Sequence, residues 1–343
     1  MHIERVDPAA NPRDLAAILP VIRAAHLDFV PGEPVPCGQR VRLWTGEQYQ
    51  RTCVNFAAFA DSGGTAGVRV AGGEAIGVTM GGHSAENPDL FGTWSFISPE
   101  VKGAEVAAAL LDQVSAYCRE LGIKRLMINT AANADAERYA PQRGAAPSFV
   151  GIRMGLDLGA VDREGFAGLA APSAANGEYR LVHWVDACPD ELAAAYSVAR
   201  EAMNDAPRVE GEEKPVHDLE RLRGGEAAWM RQGVRVMTTA AVAADGAIAG
   251  FNMIALYPEQ PEFAEIHDTG VAREHRGHGL GVRIKAAATL RLLRDHPGAE
   301  HLYTFNAQDN APMIAVNRRL GYRDAAKWET YLHDIAEAPG HVG

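Results

Sequence analysis

Cations are the first shortage in this sequence: 33 Lys and Arg face 44 Asp and Glu across 343 residues, a formal charge of −11 with histidine neutral. A protein that grips nucleic acid by its phosphates needs clustered excess Lys and Arg, so that class of partner is not expected. Cysteine is scarce too. Cys37, Cys53, Cys118 and Cys188 lie far apart with no CxxC pair. They read as buried thiols in a reducing compartment, which excludes a disulfide framework and a zinc site. No apolar run reaches about 18 residues, and the amino terminus lacks a basic start followed by an apolar core. The expectation is a cytoplasmic protein with no membrane partner and no metal. Long low-complexity tracts are missing as well, and 47% of the residues are apolar, so the chain has material for packed cores. At roughly 100–200 residues per domain, it should hold about two.

Those two domains read as copies of one plan. A seam at residues 157–178 is rich in Ala and Gly and shows no sustained apolar period. Before it come a strand at Trp94–Ile97 and a helix over 103–121 with Val106, Leu110, Val114 and Tyr117 on one stripe. A strand at Arg125–Asn129, a helix over about 134–143 and a strand at Ser148–Leu156 follow. After the seam the order returns: a strand at 179–185, a helix at 189–203 and a hairpin turning at Asp245-Gly246. Then come a strand at 263–271, a helix over about 279–294, a strand at 302–306, a helix at 311–320 and a last strand at 322–332. Residues 97–103 align without a gap on 271–277, an offset of 174. The spacing predicts a tandem α/β protein, α+β in detail, each unit a central mixed sheet flanked by helices. The expected division is 1–160, a linker at 161–178, and 179–343.

The most informative stretch is His275-Arg276-Gly277-His278-Gly279-Leu280-Gly281, between a strand and a helix. Glycines permit backbone conformations closed to other residues, and the first amides of a helix have no intrahelical partner. Such a turn can hold a pyrophosphate. Residues 271–294 carry six basic side chains (Arg273, Arg276, Arg283, Lys285, Arg291, Arg294) against Glu274 alone, a local charge of +5 that suits a small polyanion. The GxxxxGK[ST] loop is absent, and GxGxxG fails at Val282, so the common nucleotide motifs do not apply.

At Arg276, Gly279 and Gly281 the chain resembles the GNAT superfamily of acyl-CoA-dependent N-acetyltransferases, whose motif is [Gln/Arg]-x-x-Gly-x-[Gly/Ala]. Asn306 to Ile314 and Asn317-Arg318-Arg319-Leu320-Gly321-Tyr322 resemble the family's closing strand, helix and strand. The resemblance is close over 263–333 and extends to 179–257 in element order. It implies acetyl-CoA as cosubstrate, held by amides of Gly277, His278, Gly279, Leu280 and Gly281 with Arg276. It implies further that the Val271 backbone, Asn306 and Asn310 line the pantetheine arm. The first copy departs from the motif: Glu105 stands at the position of Gly279 and Ala107 at that of Gly281. A carboxylate there would repel a phosphate by about 4 kcal/mol at 4 Å and an effective dielectric near 20. The first unit is therefore expected to be degenerate.

Acylation needs a neutral amine, and an alkyl ammonium near pKa 10.4 costs about 4.6 kcal/mol to deprotonate at pH 7. A general base is the ordinary remedy. Strand alternation puts Glu265, His267, Thr269 and Val271 on one face, with a possible bulge at Thr269-Gly270. The resemblance implies a base at Glu265 or His267. Asn317 stands where the family often has the tyrosine that protonates the departing thiolate, so the acid is unassigned. Asn204 and Asp205 are candidates for orienting the acceptor. The expected reaction is direct transfer of acetyl to the amine of a small molecule, by a monomer or homodimer. A protein lysine acceptor, or an acyl-CoA sensor without turnover, are the alternatives.

Overall fold

The computed structural model describes residues 1–60, 73–101, 103–131 and 145–335; the helix expected over about 134–143 lies outside them. In chain order the elements are β1 (His2–Val6), α1 (Pro12–Phe29), α2 (Gly38–Thr45), β2 (Arg51–Phe59), β3 (Ala75–Ser84) and β4 (Leu90–Ile97). α3 (Gly103–Glu120), β5 (Arg125–Ala131), β6 (Ala146–Asp157), α4 (Arg163–Ala170), β7 (Arg180–Val185) and α5 (Asp190–Arg200) follow. The remainder is α6 (Leu219–Arg231), β8 (Arg235–Val242), β9 (Ile248–Leu256), β10 (Phe263–Val271), α7 (Leu280–Asp295), β11 (His301–Ala307), α8 (Ala311–Arg319) and β12 (Arg323–Asp334).

These elements gather into two compact units. The first comprises Met1–Val150, Val209–Glu213 and Ala326–Gly343; the second comprises Gly151–Arg208 and Lys214–Ala325. In the first, the strand order is β1-β2-β3-β4-β5-β12, with β4 and β5 the parallel pair. In the second it is β6-β11-β10-β9-β8-β7, with β10 and β11 parallel. The units do not follow the expected division at 160 and 179. β6 stands before the seam, yet its residues from Gly151 to Asp157 pair with β11. β12 ends the chain, yet Trp328 to Asp334 pair with β5. Each copy gives its last strand to the sheet of the other unit. Nor is 161–178 a bare linker, because α4 lies within it and seats Phe166 in the second unit's core.

Local chemistry accounts for the elements. In the first unit, Asn11 caps α1 by accepting from the Arg13 amide at 3.0 Å, with Pro12 in the first turn. The predicted α3 stripe packs on the sheet: Val106, Leu110 and Val114, joined by Leu111 and Cys118, are buried against Val54, Phe56 and Phe91, and Tyr117 lies partly buried against the same core. α1 covers the other side of that sheet through Ile18, Val21 and Ile22. In the second unit, α7 buries Val282, Ala286 and Leu292 over Ile254, Ile266 and Leu302. α5 and α6 cover the opposite side, with Tyr196 and Leu222 on Trp184 and Phe251. The β8–β9 hairpin turns where expected, with Gly246 at φ +90° and Asp245 accepting from the Ala247 amide. The thiols of Cys118 and Cys188 are pushed up to about 12 by burial, as inert buried cysteines should be.

Candidate active site

One extra residue in β10 shapes the site. Against β9, Ile266 faces Ile254 and Asp268 faces Met253, so His267 is left over as a bulge. The bulge sits three residues before the Gly270 position where the sequence suggested one. A bulge breaks the alternation of a strand, and here it reverses the expected faces. Ala264 and Ile266 point into the α7 core, so Glu265 between them points toward α5 and α6. Beyond the bulge Asp268, whose side chain meets Arg200 of α5, takes that same face. Thr269 and Val271 lie on the α7 side, where Val271 joins Leu280 and Ile284. Glu265 therefore does not share a face with Thr269 and Val271.

The bulge also marks where the sheet opens. The parallel ladder between β10 and β11 runs from Phe263–His301 to Ile266–Thr304. β10 goes on to Val271 and β11 to Ala307, diverging into a split whose inner end is at the bulge.

On the α5 side, Glu265 is enclosed by groups the sequence did not signal. Arg153 of β6 pairs with its Oε1, and the Tyr257 hydroxyl donates to Oε2 at 3.1 Å. The Arg153 guanidinium also lies 5.2 Å from the Tyr303 ring centre. Gly151 and Gly155 flank Arg153 at i±2 on the same strand face. Side chains there would collide with the rings of Phe305 and Tyr303, so glycine lets those rings lie against β6. His267 is exposed and meets the Trp229 ring of α6 edge-on at 4.5 Å. Asp268 accepts from Arg200 at 3.0 Å. Near that pair, both ring nitrogens of His217 are covered and unpartnered, and burial with the Arg200 charge pushes the imidazole below its usual value.

At the other end of the split, Gly277 and Gly279 adopt φ of +83° and +72°, and Gly279 is the residue from which α7 starts. Only glycine takes such angles without strain. No side chain caps α7, so its first amides keep the orphan donors of a helix start. The seam holds this turn in place. Asn176 Nδ2 donates to the His278 carbonyl at 3.0 Å, and the Tyr179 hydroxyl meets His275 Nδ1 at 3.1 Å. The buried Arg283 guanidinium donates to the carbonyls of Ala170, Asn176 and Tyr179.

The +5 charge read from the sequence is not all displayed at the turn. Arg283 and Lys285 are buried, and Arg291 and Arg294 pair with Asp295. Arg273 and Arg276 do stand at the turn, both bound to Asp205 at 2.8 and 2.6 Å. Those hydrogen bonds hold the Asp205 carboxyl below its usual range. Arg276 Nε also donates to the Val271 carbonyl at 3.0 Å.

The remaining candidates separate clearly. Leu280 is buried, so only its backbone faces the turn. Asn310 caps α8, its Oδ1 accepting from the Met313 amide at 3.4 Å. Asn306 lies on β11, on the side of Leu302, which packs under α7; it is 8% exposed and its Nδ2 has no partner. Asn317 is fully buried, with Nδ2 on the Met154 sulfur at 3.7 Å. Asn204 spends its amide on Glu201 Oε2 and the Pro215 carbonyl, and its oxygen on Arg208. It ties down the loop after α5. Among the described residues no group of His, Cys, Asp and Glu could hold a metal ion, and no helix is long and apolar enough to cross a membrane.

Comparison with known proteins gives the family and the fold. The family model described as acetyltransferase (GNAT) family matches residues 32–145 and again 197–322. A mycothiol acetyltransferase of Corynebacterium aurimucosum is 34% identical over 110 residues, 31% of this chain and 36% of the relative. A streptothricin acetyltransferase of Streptomyces lavendulae is 40% identical over 86 residues, 25% of this chain and 43% of the relative. The matched segments thus span under half the length of these relatives. In fold it is similar to a tandem GNAT protein from the clavulanic acid biosynthesis pathway, with a TM-score of 0.77, 23% identity, and coverage of 98% of this chain and 100% of the other. A GCN5-related N-acetyltransferase from Sphaerobacter thermophilus aligns with a TM-score of 0.64, 18% identity, and coverage of 97% and 96%. The chain belongs to the GNAT family of acetyltransferases, and both of its copies carry the family's pattern.

Proposed function

We propose that the second unit transfers an acetyl group from acetyl-CoA directly to the amine of a small molecule, and that the first unit binds no acyl-CoA. The observation that carries this reading is the uncapped start of α7 behind two left-handed glycines, opening onto the split between β10 and β11. The donor set suits a phosphorylated thioester. Amides of Gly277 to Gly281 and the guanidinium of Arg276 are donors for a pyrophosphate. Asn306 Nδ2 is a buried donor without an acceptor, of the kind an amide-rich arm would satisfy. Acetyl-CoA supplies the activated acyl group; this chain's residues bind it, position the amine and manage protons.

For the acceptor amine, the face of β10 toward α5 offers Glu265, Asp268 and the bulged His267. Glu265 is the base we assign, with Tyr257 and Arg153 fixing its carboxylate. Asp205 braces Arg273 and Arg276, and Asn204 shapes the acceptor-side loop. A small-molecule acceptor is supported by the relatives named for mycothiol and streptothricin acetylation. Calorimetric titration with acetyl-CoA tests the cofactor half, one site per chain being expected. A panel of amino sugars, amino acid derivatives and polyamines, with release of free thiol as the readout, tests the other. No heat and no thermal shift with acetyl-CoA would overturn the reading.

A further inference from the structure

Lys285 is a cationic side chain buried within the second unit. It is 1% exposed, and its Nζ has no hydrogen-bond partner. Its Nζ lies over the face of the Tyr322 ring, 5.0 Å from the ring centre. Nature rarely buries a lone lysine among apolar side chains without a use for it.

Its place on α7 suggests the use. Gly281 is the helix residue that looks into the split: a side chain there would lie 3.7 Å from Val316 of α8 and 4.0 Å from Val271 of β10. Residues four apart share a helix face, one above the other. Lys285 therefore stands on the Gly281 face, four residues or about 6 Å along the axis further from the phosphate-binding turn. That is the direction in which the split narrows toward the bulge. Asn306 Nδ2, also buried and unpartnered, lies on the β11 side facing α7. Two buried donors, each lacking an acceptor, thus stand on α7 and β11, the elements that flank one split.

Thioester aminolysis expels a thiolate, which a nearby donor can protonate. When the acceptor nitrogen bonds to the carbonyl carbon, the C–S bond breaks and its electron pair leaves on sulfur. Asn317 has no acidic proton to give, and burial drives the Tyr322 phenol far above its usual value. We propose that Lys285 Nζ lies against the sulfur of the bound acyl-CoA and gives it a proton as the C–S bond breaks. The ammonium becomes a neutral amine, the thiolate leaves as CoA thiol, and the proton lost from the acceptor nitrogen passes to the base and then to water. Lysine recovers its proton from solvent. Burial alone, with no charged neighbour contributing, pushes Lys285 down to about 7. A thiol near 8.5 is then a suitable recipient.

This inference rests on the acyl-CoA reading of the split, and its test needs no acceptor. Wild type and Lys285→Met, which replaces the amine with an apolar side chain of similar length, are each titrated with CoA and with acetyl-CoA. Thiolate absorbance of bound CoA is followed from pH 6 to 9. Bound CoA should ionise at least one pH unit lower in wild type than in Lys285→Met, and the variant should bind CoA at least tenfold more weakly, with acetyl-CoA within threefold of wild type. Lys285→Gln serves as a second variant. Equal ionisation of bound CoA in all three proteins would overturn the proton donor while leaving the acyl-CoA site standing. Failure of wild type to bind either ligand would overturn both.

Discussion

The two units share one plan and differ at most of the positions proposed here for chemistry. Leu90 opens the β4–β5 ladder as Phe263 opens that of β10 and β11, so the third ladder residue is Gly92 in one and Glu265 in the other. The strand opposite places Met127 where the second unit has Tyr303. The partner strand places Thr330 where the second unit has Arg153. Thr330 donates to Asn129 at 2.7 Å, a neutral pair in place of a charged one. β4 has eight residues and β10 nine, the difference being the bulge. α3 is already helical at Gly103, which aligns with Gly277, so the first unit builds helix where the second builds an open turn. A fold can evidently keep its sheet and helices while shedding a bulge, a turn and a handful of polar side chains.

The largest effect should come from cutting the chain at the division expected from its sequence. A fragment 179–343 lacks β6, with Arg153, and retains β12 without β5 to pair with. It should not fold and should not bind acetyl-CoA. A fragment 146–325 holds every strand of the second unit and should do both, as read by circular dichroism and calorimetry. Binding by 179–343 at full-length strength would break the claim that each copy completes the other's sheet.

Next in size is Gly279→Glu, which carries the first unit's Glu105 into the second. A left-handed angle costs a non-glycine residue about 1–2 kcal/mol, and the carboxylate adds repulsion. Acetyl-CoA affinity should fall at least about 100-fold, the equivalent of about 2.7 kcal/mol. The reverse change, Glu105→Gly, should create no site, because removing the charge does not unwind residues 103–105.

Arg153→Met sharpens the contrast at the carboxylate. It leaves Glu265, half-buried, without its guanidinium, and stripping one partner from a largely buried pair costs about 3 kcal/mol. The double variant Arg153→Met with Glu265→Gln should recover most of that loss, as the neutral pair of the first unit implies. Denaturant melts of the four proteins give the coupling.

How far the sequence reveals these differences depends on the range of the force involved. The turn was legible because its requirements are local: glycines, a strand before and a helix after. The α3 stripe and the Asp245-Gly246 hairpin were legible for the same reason. Arg153 was not, because its partner lies 112 residues away and sits beside it only after the strands are exchanged. One trace was present in Gly151-Ile152-Arg153-Met154-Gly155, where glycines at i±2 signal rings lying on that face. The bulge was hidden by aligning only residues 97–103. From Ile97 to Val271 the offset is 271 − 97 = 174, but from Leu90 to Phe263 it is 263 − 90 = 173, and the residue gained between is His267. That shift of one moved Glu265 to the opposite face from the one alternation predicts.

The last contrast concerns Lys285, whose counterpart at the 174 offset is Leu111, buried in the first unit's core. Leucine there is ordinary packing, while the lysine titrates at about 7 in the folded protein and near its usual value in the unfolded chain. Between about pH 7 and 10 the unfolded state therefore holds more protons than the folded state, and stability must rise with pH. The slope from this one group approaches about 1.4 kcal/mol per pH unit in the middle of that window. Below pH 7 both states are protonated and the contribution is flat at its least favourable. Lys285→Leu, which restores the first unit's residue, should melt higher than wild type at pH 7. Its advantage should shrink as the pH is raised toward 10. If the difference between the two proteins stays constant across that range, the lysine is charged and solvated in the folded state, and the contrast with Leu111 is one of shape alone.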